Sequence, residues 1–275
     1  MSQESFESAR ISLVGNRKMN QDRSAIFSQG PTTLMVIGDG LGGHPRGEVA
    51  AQLLMDICES MFRQEEKPLR DPEQFMARCL HNAHAAVVGF GDRQNPPICP
   101  RTTAVMAVVQ GGVAYWAHVG DSRLYLVRNS HILAQTKDHS RVRYIHASAG
   151  ASSGIRSNIT RCLGGEEPPT ITSSTPVELQ TGDTLMLCSD GLWSQVPREQ
   201  LLRALAAPED FAAAIQALAN EAVHQGYPRS DNVTILAIRW RPPARDHANT
   251  GSQGEDHLDA AVRHLEQLLE LSKTS

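Results

Sequence analysis

Two apolar runs, residues 103–109 and 113–118, are joined by a turn containing Gly111 and Gly112, and this junction restricts the fold more than any other feature of the chain. Glycine takes the positive φ that a tight hairpin turn requires, so the two runs pair antiparallel. Other short runs rich in β-branched residues read as strands: 24–27, 33–37, 124–127, 184–188 and 233–238. Helical periodicity, with Ala, Leu and Ile recurring on one face, covers 48–62, 72–88, 198–205 and 209–223. The helices come in two pairs, and the strands group apart from them instead of alternating with them. That pattern predicts an α+β layered fold and argues against a doubly wound parallel sheet.

A chain of 275 residues with 40% hydrophobic content has ample material for a packed core. Its formal charge of -4, from 26 basic and 30 acidic residues, supplies no bulk positive field to hold nucleic acid. No apolar run reaches bilayer length, and the first ten residues lack the apolar stretch of a signal peptide. The expectation is a cytoplasmic protein with no nucleic-acid or membrane partner. Five widely spread cysteines form no zinc knuckle or redox pair and read as reduced, mostly core residues. One domain is expected over 1–240, then a flexible polar linker over 241–256. The last segment, 257–272, reads as one amphipathic helix with Leu258, Ala261, Val262, Leu265, Leu268 and Leu269 in a stripe. Such a stripe must be buried, either on the chain's own domain or in a dimer or partner contact.

Aspartates mark the strand boundaries. Asp39, Asp121 and Asp190 each follow an apolar run, Asp231 directly precedes 233–238, and Asp22 stands just ahead of 24–27. A single Asp beside Gly, Ser or Asn reads simply as a turn residue. Five together at sheet edges would repel one another unless cations neutralised them. A set rich in carboxylate oxygen without paired His or Cys suits magnesium or manganese better than zinc. Cations at such a cluster lower the pKa of a shared water and balance the charge of a phosphoryl group, which points to phosphate ester hydrolysis. Arg17 offers a planar fork for phosphate oxygens, although alone it reads equally as a surface arginine.

The order of Gly15-Asn-Arg17-Lys-Met-Asn20-Gln21-Asp22, Gly38-Asp39-Gly40-Leu-Gly-Gly-His-Pro-Arg-Gly47-Glu48 and Arg101-Thr102-Thr103 resembles bacterial members of the metal-dependent protein phosphatase 2C family. The likeness continues through His118-Val-Gly120-Asp121-Ser122-Arg123, Asp138-His139-Ser140, Asn158-Ile-Thr-Arg161, Cys188-Ser-Asp190-Gly191 and Ser230-Asp231-Asn232, covering about residues 11–238. It implies two antiparallel sheets packed face to face with helical pairs outside. It further implies a serine/threonine protein phosphatase whose water is held between two Mn²⁺ or Mg²⁺ ions, acting on phosphoproteins made by a Ser/Thr kinase. Asp39, Asp190 and Asp231 would ligate the core metals together with the Gly40 carbonyl. Asp22 would act through metal-bound water, Arg17 would hold the phosphate, and Asp121 would help form a third, weaker metal site.

Departures from the family pattern matter too. Gln21 stands where many relatives carry Glu, and Leu41 stands where eukaryotic relatives place a histidine proposed as general acid, so the general acid is unassigned. His44 is nearby but reads as a loop histidine. The region between Ser140 and Asn158, a variable flap in the family, carries Arg141, Arg143, His146 and Arg156, so substrate preference is least transferable there. Two rival readings are a dinucleotide fingerprint at Gly38-Asp-Gly40-Leu-Gly-Gly43, which conflicts with the hairpins, and a catalytically silent phosphoprotein-binding module, which conflicts with the presence of all the expected acids.

Overall fold

The computed structural model describes residues 6–145, 154–206 and 210–241. In chain order its elements are β1 (Phe6–Leu13), β2 (Arg23–Gln29), β3 (Thr32–Gly38), α1 (Gly47–Gln64), α2 (Pro72–Asp92), β4 (Ala104–Gln110), β5 (Val113–Val119), β6 (Arg123–Arg128) and β7 (His131–Gln135). Then come β8 (Ser140–Ile145), β9 (Gly154–Ile159), β10 (Thr172–Ser173), β11 (Val177–Glu178), β12 (Thr184–Cys188), α3 (Asp190–Trp193), α4 (Arg198–Ala206), α5 (Phe211–Gly226) and β13 (Val233–Trp240).

Every strand pair among the described residues is antiparallel. One sheet runs β1-β13-β12-β6-β7, a second runs β10-β5-β4-β3-β2 with β11 also on β5, and β8 and β9 form a separate ribbon. Successive side chains on a strand point to opposite faces, and here both faces are buried. In β3, Met35 and Ile37 enter the layer between the sheets, where they meet Leu124, Leu187 and Leu236. Leu34 and Val36 face the other way, onto Leu54, Phe62 and Phe75 of α1 and α2. The five-stranded sheet repeats this arrangement, with Met186, Cys188 and Ile235 turned toward Leu201, Ile215 and Leu218 of α4 and α5. The result is helices, sheet, sheet, helices, as the α+β reading anticipates. Burial on both faces is why these strands read as unbroken apolar runs.

Local chemistry sets the helix starts. Asp71 accepts a hydrogen bond from the Gln74 backbone N–H at 2.9 Å, with Pro72 as the first helical residue of α2. The observed α5 begins at Phe211, later than the 209 expected, because Asp210 caps it by accepting from the Ala213 N–H at 3.0 Å.

Several strands escape sequence reading. β1 and β7 are the two edges of their sheet, so each is half exposed and mixes polar with apolar residues. β8 and β9 occupy the stretch expected as a variable flap. The dinucleotide reading of residues 38–43 fails, because β3 pairs antiparallel with β4 and the required parallel crossover is missing among the described residues. The chain divides into two units, Met1–Pro242 and Pro243–Ser275. The second, and with it the helix expected over 257–272 and the linker expected over 241–256 except Arg241, lies outside the described residues. No helix among the described residues is long and apolar enough to cross a membrane.

Candidate metal centre

Antiparallel register brings five aspartates to one rim of the sandwich. Arg23 lies opposite Gly38, Ala104 opposite Val119, and Cys188 opposite Ile235. The residues just beyond these pairs include Asp22 and Asp39 on one sheet and Asp190 and Asp231 on the other. Asp121 sits in the turn by which the chain passes from β5 to β6, and so from sheet to sheet.

Three of the acids, Asp39, Asp22 and Asp121, are seated by neighbours to which the sequence reading assigned no role. The Asp39 N–H donates to Thr103 Oγ1 at 3.1 Å, and its carbonyl accepts from the Thr103 N–H at 2.8 Å and from Thr102 Oγ1 at 2.9 Å. Ser189 Oγ donates to Asp22 Oδ2 at 2.7 Å, tying the rim of one sheet to the other. Asn232 accepts from the Gln21 N–H at 2.8 Å through Oδ1, while its Nδ2 donates to the carbonyls of Val14 at 2.8 Å and Met19 at 3.1 Å. That one side chain therefore fixes the loop carrying Arg17. Trp193 Nε1 donates to the Asp121 carbonyl at 2.9 Å, and Arg123, held by Asp138 through two 2.8 Å contacts, lies 3.6 Å over the Trp193 ring. Ser189 and Asn232 stand directly beside acids of the motifs, whereas Thr102, Thr103 and Trp193 do not. That adjacency was the available signal, but hydrogen bonding between sheets cannot be read from one strand at a time.

Close backbone approach completes the seat. A Cβ on Gly191 would lie 2.1 Å from the Asn232 carbonyl oxygen, so β13 and the start of α3 meet with no room for a side chain. Gly191→Ala is expected to destabilise the protein by about 3 kcal/mol or more, measurable by denaturant unfolding. A change below about 0.5 kcal/mol would contradict this account of the packing.

The carboxylates strongly perturb one another. Burial, and after it the charges of Asp22, Asp190, Asp121 and Asp231, push the Asp39 carboxyl well above the usual range. Burial raises Asp22 to about 6, Asp121 to about 6 and Asp190 to about 7, and neighbouring aspartates add to each shift. Hydrogen bonding to Asp39 opposes the rise in both Asp22 and Asp190. Asp39 and Asp190 retain some solvent access through a cleft of about 470 Å³ that is also lined by Arg17, Gln21, Gly40 and Asp231. Arg17 Nη2 donates to Asp231 Oδ2 at 2.5 Å, and about half of the arginine side chain is exposed.

These residues fit hard divalent cations. The donors are carboxylate oxygens and the Gly40 carbonyl, and the buried Asp22 Oδ1 and Asp121 Oδ1 have no hydrogen-bond partner among the described residues. No three His, Cys, Asp or Glu side chains of the described residues close into a protein-only cage. Magnesium-like ions do not require such a cage, because they keep several waters and take only one or two carboxylates each. His44 does not line this cleft; burial, and after it the charge of Arg101, lowers its pKa.

Known proteins share this fold. Solved relatives include the serine/threonine phosphatase Stp1 of Staphylococcus aureus, 25% identical with a TM-score of 0.75 over 88% of this chain and 98% of that one. They also include the Mycobacterium tuberculosis phosphatase PstP/Ppp, 29% identical with a TM-score of 0.70 over 86% of this chain and 99% of the solved one. In sequence, the chain is 27% identical over 231 residues to the serine/threonine phosphatase stp of Listeria monocytogenes, covering 81% of this chain and 90% of the relative. It is 31% identical over 241 residues to full-length M. tuberculosis PstP, covering 83% of this chain and 45% of that protein. The family profile described as Protein phosphatase 2C matches residues 12–230, a span that holds every described element from β2 to α5 and four of the five rim aspartates. On that match, and with the layered fold beneath it, the chain belongs to the protein phosphatase 2C family.

Proposed function

We propose that the chain hydrolyses phosphoserine and phosphothreonine on protein substrates, with two Mn²⁺ or Mg²⁺ ions at the rim. Family membership makes it a serine/threonine-class phosphoric monoester hydrolase; the metal set and the residue roles are our reading. The observation that carries it is that Asp39, Asp190 and Asp231, drawn from both sheets, line one cleft together with Arg17, while Asp22 and Asp121 stand close enough to raise the Asp39 pKa. Asp39, Asp190, Asp231 and the Gly40 carbonyl hold the core ions, and Asp121 contributes to a third. When bound, the ions would acidify a shared water and neutralise charge on the phosphoryl group. Asp22, fixed by Ser189, accepts hydrogen bonds from water in the site. Arg17 leaves Asp231 to grip the phosphate oxygens with its planar fork. Five unpaired cysteines support a cytoplasmic setting, and substrates bearing phosphoserine or phosphothreonine must come from a protein kinase reaction.

The test is phosphate release from a phosphothreonine peptide. Activity should depend on added Mn²⁺ or Mg²⁺, vanish on chelation and return on metal replacement. A folded protein that binds the phosphopeptide yet releases no phosphate with either metal would be a silent binding module instead. Within this proposal the linker and helix over 241–272 lie outside the chemistry. A chain ending at Trp240 should keep its metal-dependent rate on a small phosphate ester within about twofold, and any dimer seen by light scattering should be lost. Loss of that rate in a folded truncation would place the tail in the site.

A further inference from the structure

Beside the phosphate cleft lies a second recess of about 450 Å³, whose lining includes Arg101, Arg161, Cys162, Glu166 and Glu167. Arg101 Nε is buried without a hydrogen-bond partner among the described residues, and neither arginine makes an ion pair there. Other arginines near the rim are engaged, as Arg123 is by Asp138 and Arg17 by Asp231. A guanidinium held partly buried with an unused donor is placed to meet an anion.

The recess is tied to the cleft through the backbone. The Leu41 N–H donates to the Arg101 carbonyl at 2.9 Å, and Gly40 bridges Thr102 in antiparallel fashion. Gly40 and Leu41 line the cleft, while Arg101 lines the recess, so the backbones behind the two walls lie about one strand spacing, roughly 5 Å, apart. An extended peptide advancing about 3.3 Å per residue crosses that distance, with side-chain reach at each end, in about two to four residues.

We propose that this recess binds a second phosphate monoester on the same substrate segment, two to four residues from the one being hydrolysed. The proposal rests on the phosphatase reading above and adds a substrate class to it: multiply phosphorylated segments. Arg101 and Arg161, outside any ion pair among the described residues, offer a phosphate dianion more donors than a single carboxylate can use, and their attraction has to outweigh the repulsion of Glu166 and Glu167 on the same lining.

The experiment compares phosphothreonine peptides carrying serine, glutamate or phosphoserine at each of positions two to four residues to either side, at low salt with Mn²⁺. At one or more spacings, the phosphoserine peptide should show about tenfold higher kcat/KM than the serine peptide, mainly through lower KM. Arg161→Ala, an exposed position that should not disturb folding, and Arg101→Ala should remove this advantage while leaving the rate on a small phosphate ester unchanged. No advantage at any spacing, an advantage that survives in both variants, or an equal gain from glutamate would overturn the assignment. Inactivity of the unaltered protein on every peptide and on the small ester would instead overturn the phosphatase reading.

Discussion

Asp39→Asn is expected to lower kcat by about 10³-fold or more, because on the proposed reading it removes charge from a ligand of the core ions. The same change should leave the fold intact and stabilise the metal-free protein. After burial, Asp22, Asp190, Asp121 and Asp231 all raise the pKa of Asp39. Replacing it with a neutral isostere relieves those repulsions. Thermal unfolding of the metal-free variant should therefore occur at higher temperature than for the unaltered protein, while the rise produced by Mn²⁺ shrinks. Retention of near-normal turnover would remove Asp39 from the metal site, and a variant less stable than the parent without metal would contradict the electrostatic account.

Metal-free protein should also lose stability as pH rises through the range where most proteins are steady. Burial and mutual repulsion raise these carboxyl groups in the folded state, so the folded chain binds protons more tightly than the unfolded chain. That stabilisation is complete below the unfolded value near 3.8 and disappears as pH passes the folded values, about 6 for Asp22 and about 7 for Asp190. The Asp22 displacement alone is worth on the order of 3 kcal/mol. Between pH 4.5 and 7.5 the unfolding free energy of chelated protein is expected to fall by several kcal/mol. Mn²⁺ should restore it, and should raise the melting temperature more at pH 7.5 than at pH 5.5. A metal-free stability that is flat or rising over that interval would show that the acids do not share one buried site.

The layered class and central strands are legible in sequence because strands buried on both faces leave continuous apolar runs such as residues 33–37, and the amphipathic helices covering them carry a clear period. The edges are not. β1 mixes Glu7, Ser8 and Arg10 among its apolar residues because one side of an edge strand meets water, so its partnership with β13 leaves no local signature. The site divides in the same way. Single aspartates reveal themselves by standing at strand ends, whereas the bond from Ser189 to Asp22 spans 167 positions and exists only once two sheets have stacked. Asn232 is similar: it looks like a turn residue in sequence, yet it carries the loop that presents Arg17.

The pairing of β1 with β13 has a consequence for biosynthesis. Leu13 lies opposite Val233 and Phe6 opposite Trp240, so the first strand made waits for the last. Until residue 240 has left the ribosome, β1 and β12 both present open edges, and Asp231 and Asn232 are not yet in place to hold Arg17. Contacts of such long sequence separation form slowly. A ribosome stalled anywhere in the final strand would therefore release a chain with most of its core but no working centre. Dephosphorylation by this protein can begin only after β13 has been made and has paired with β1.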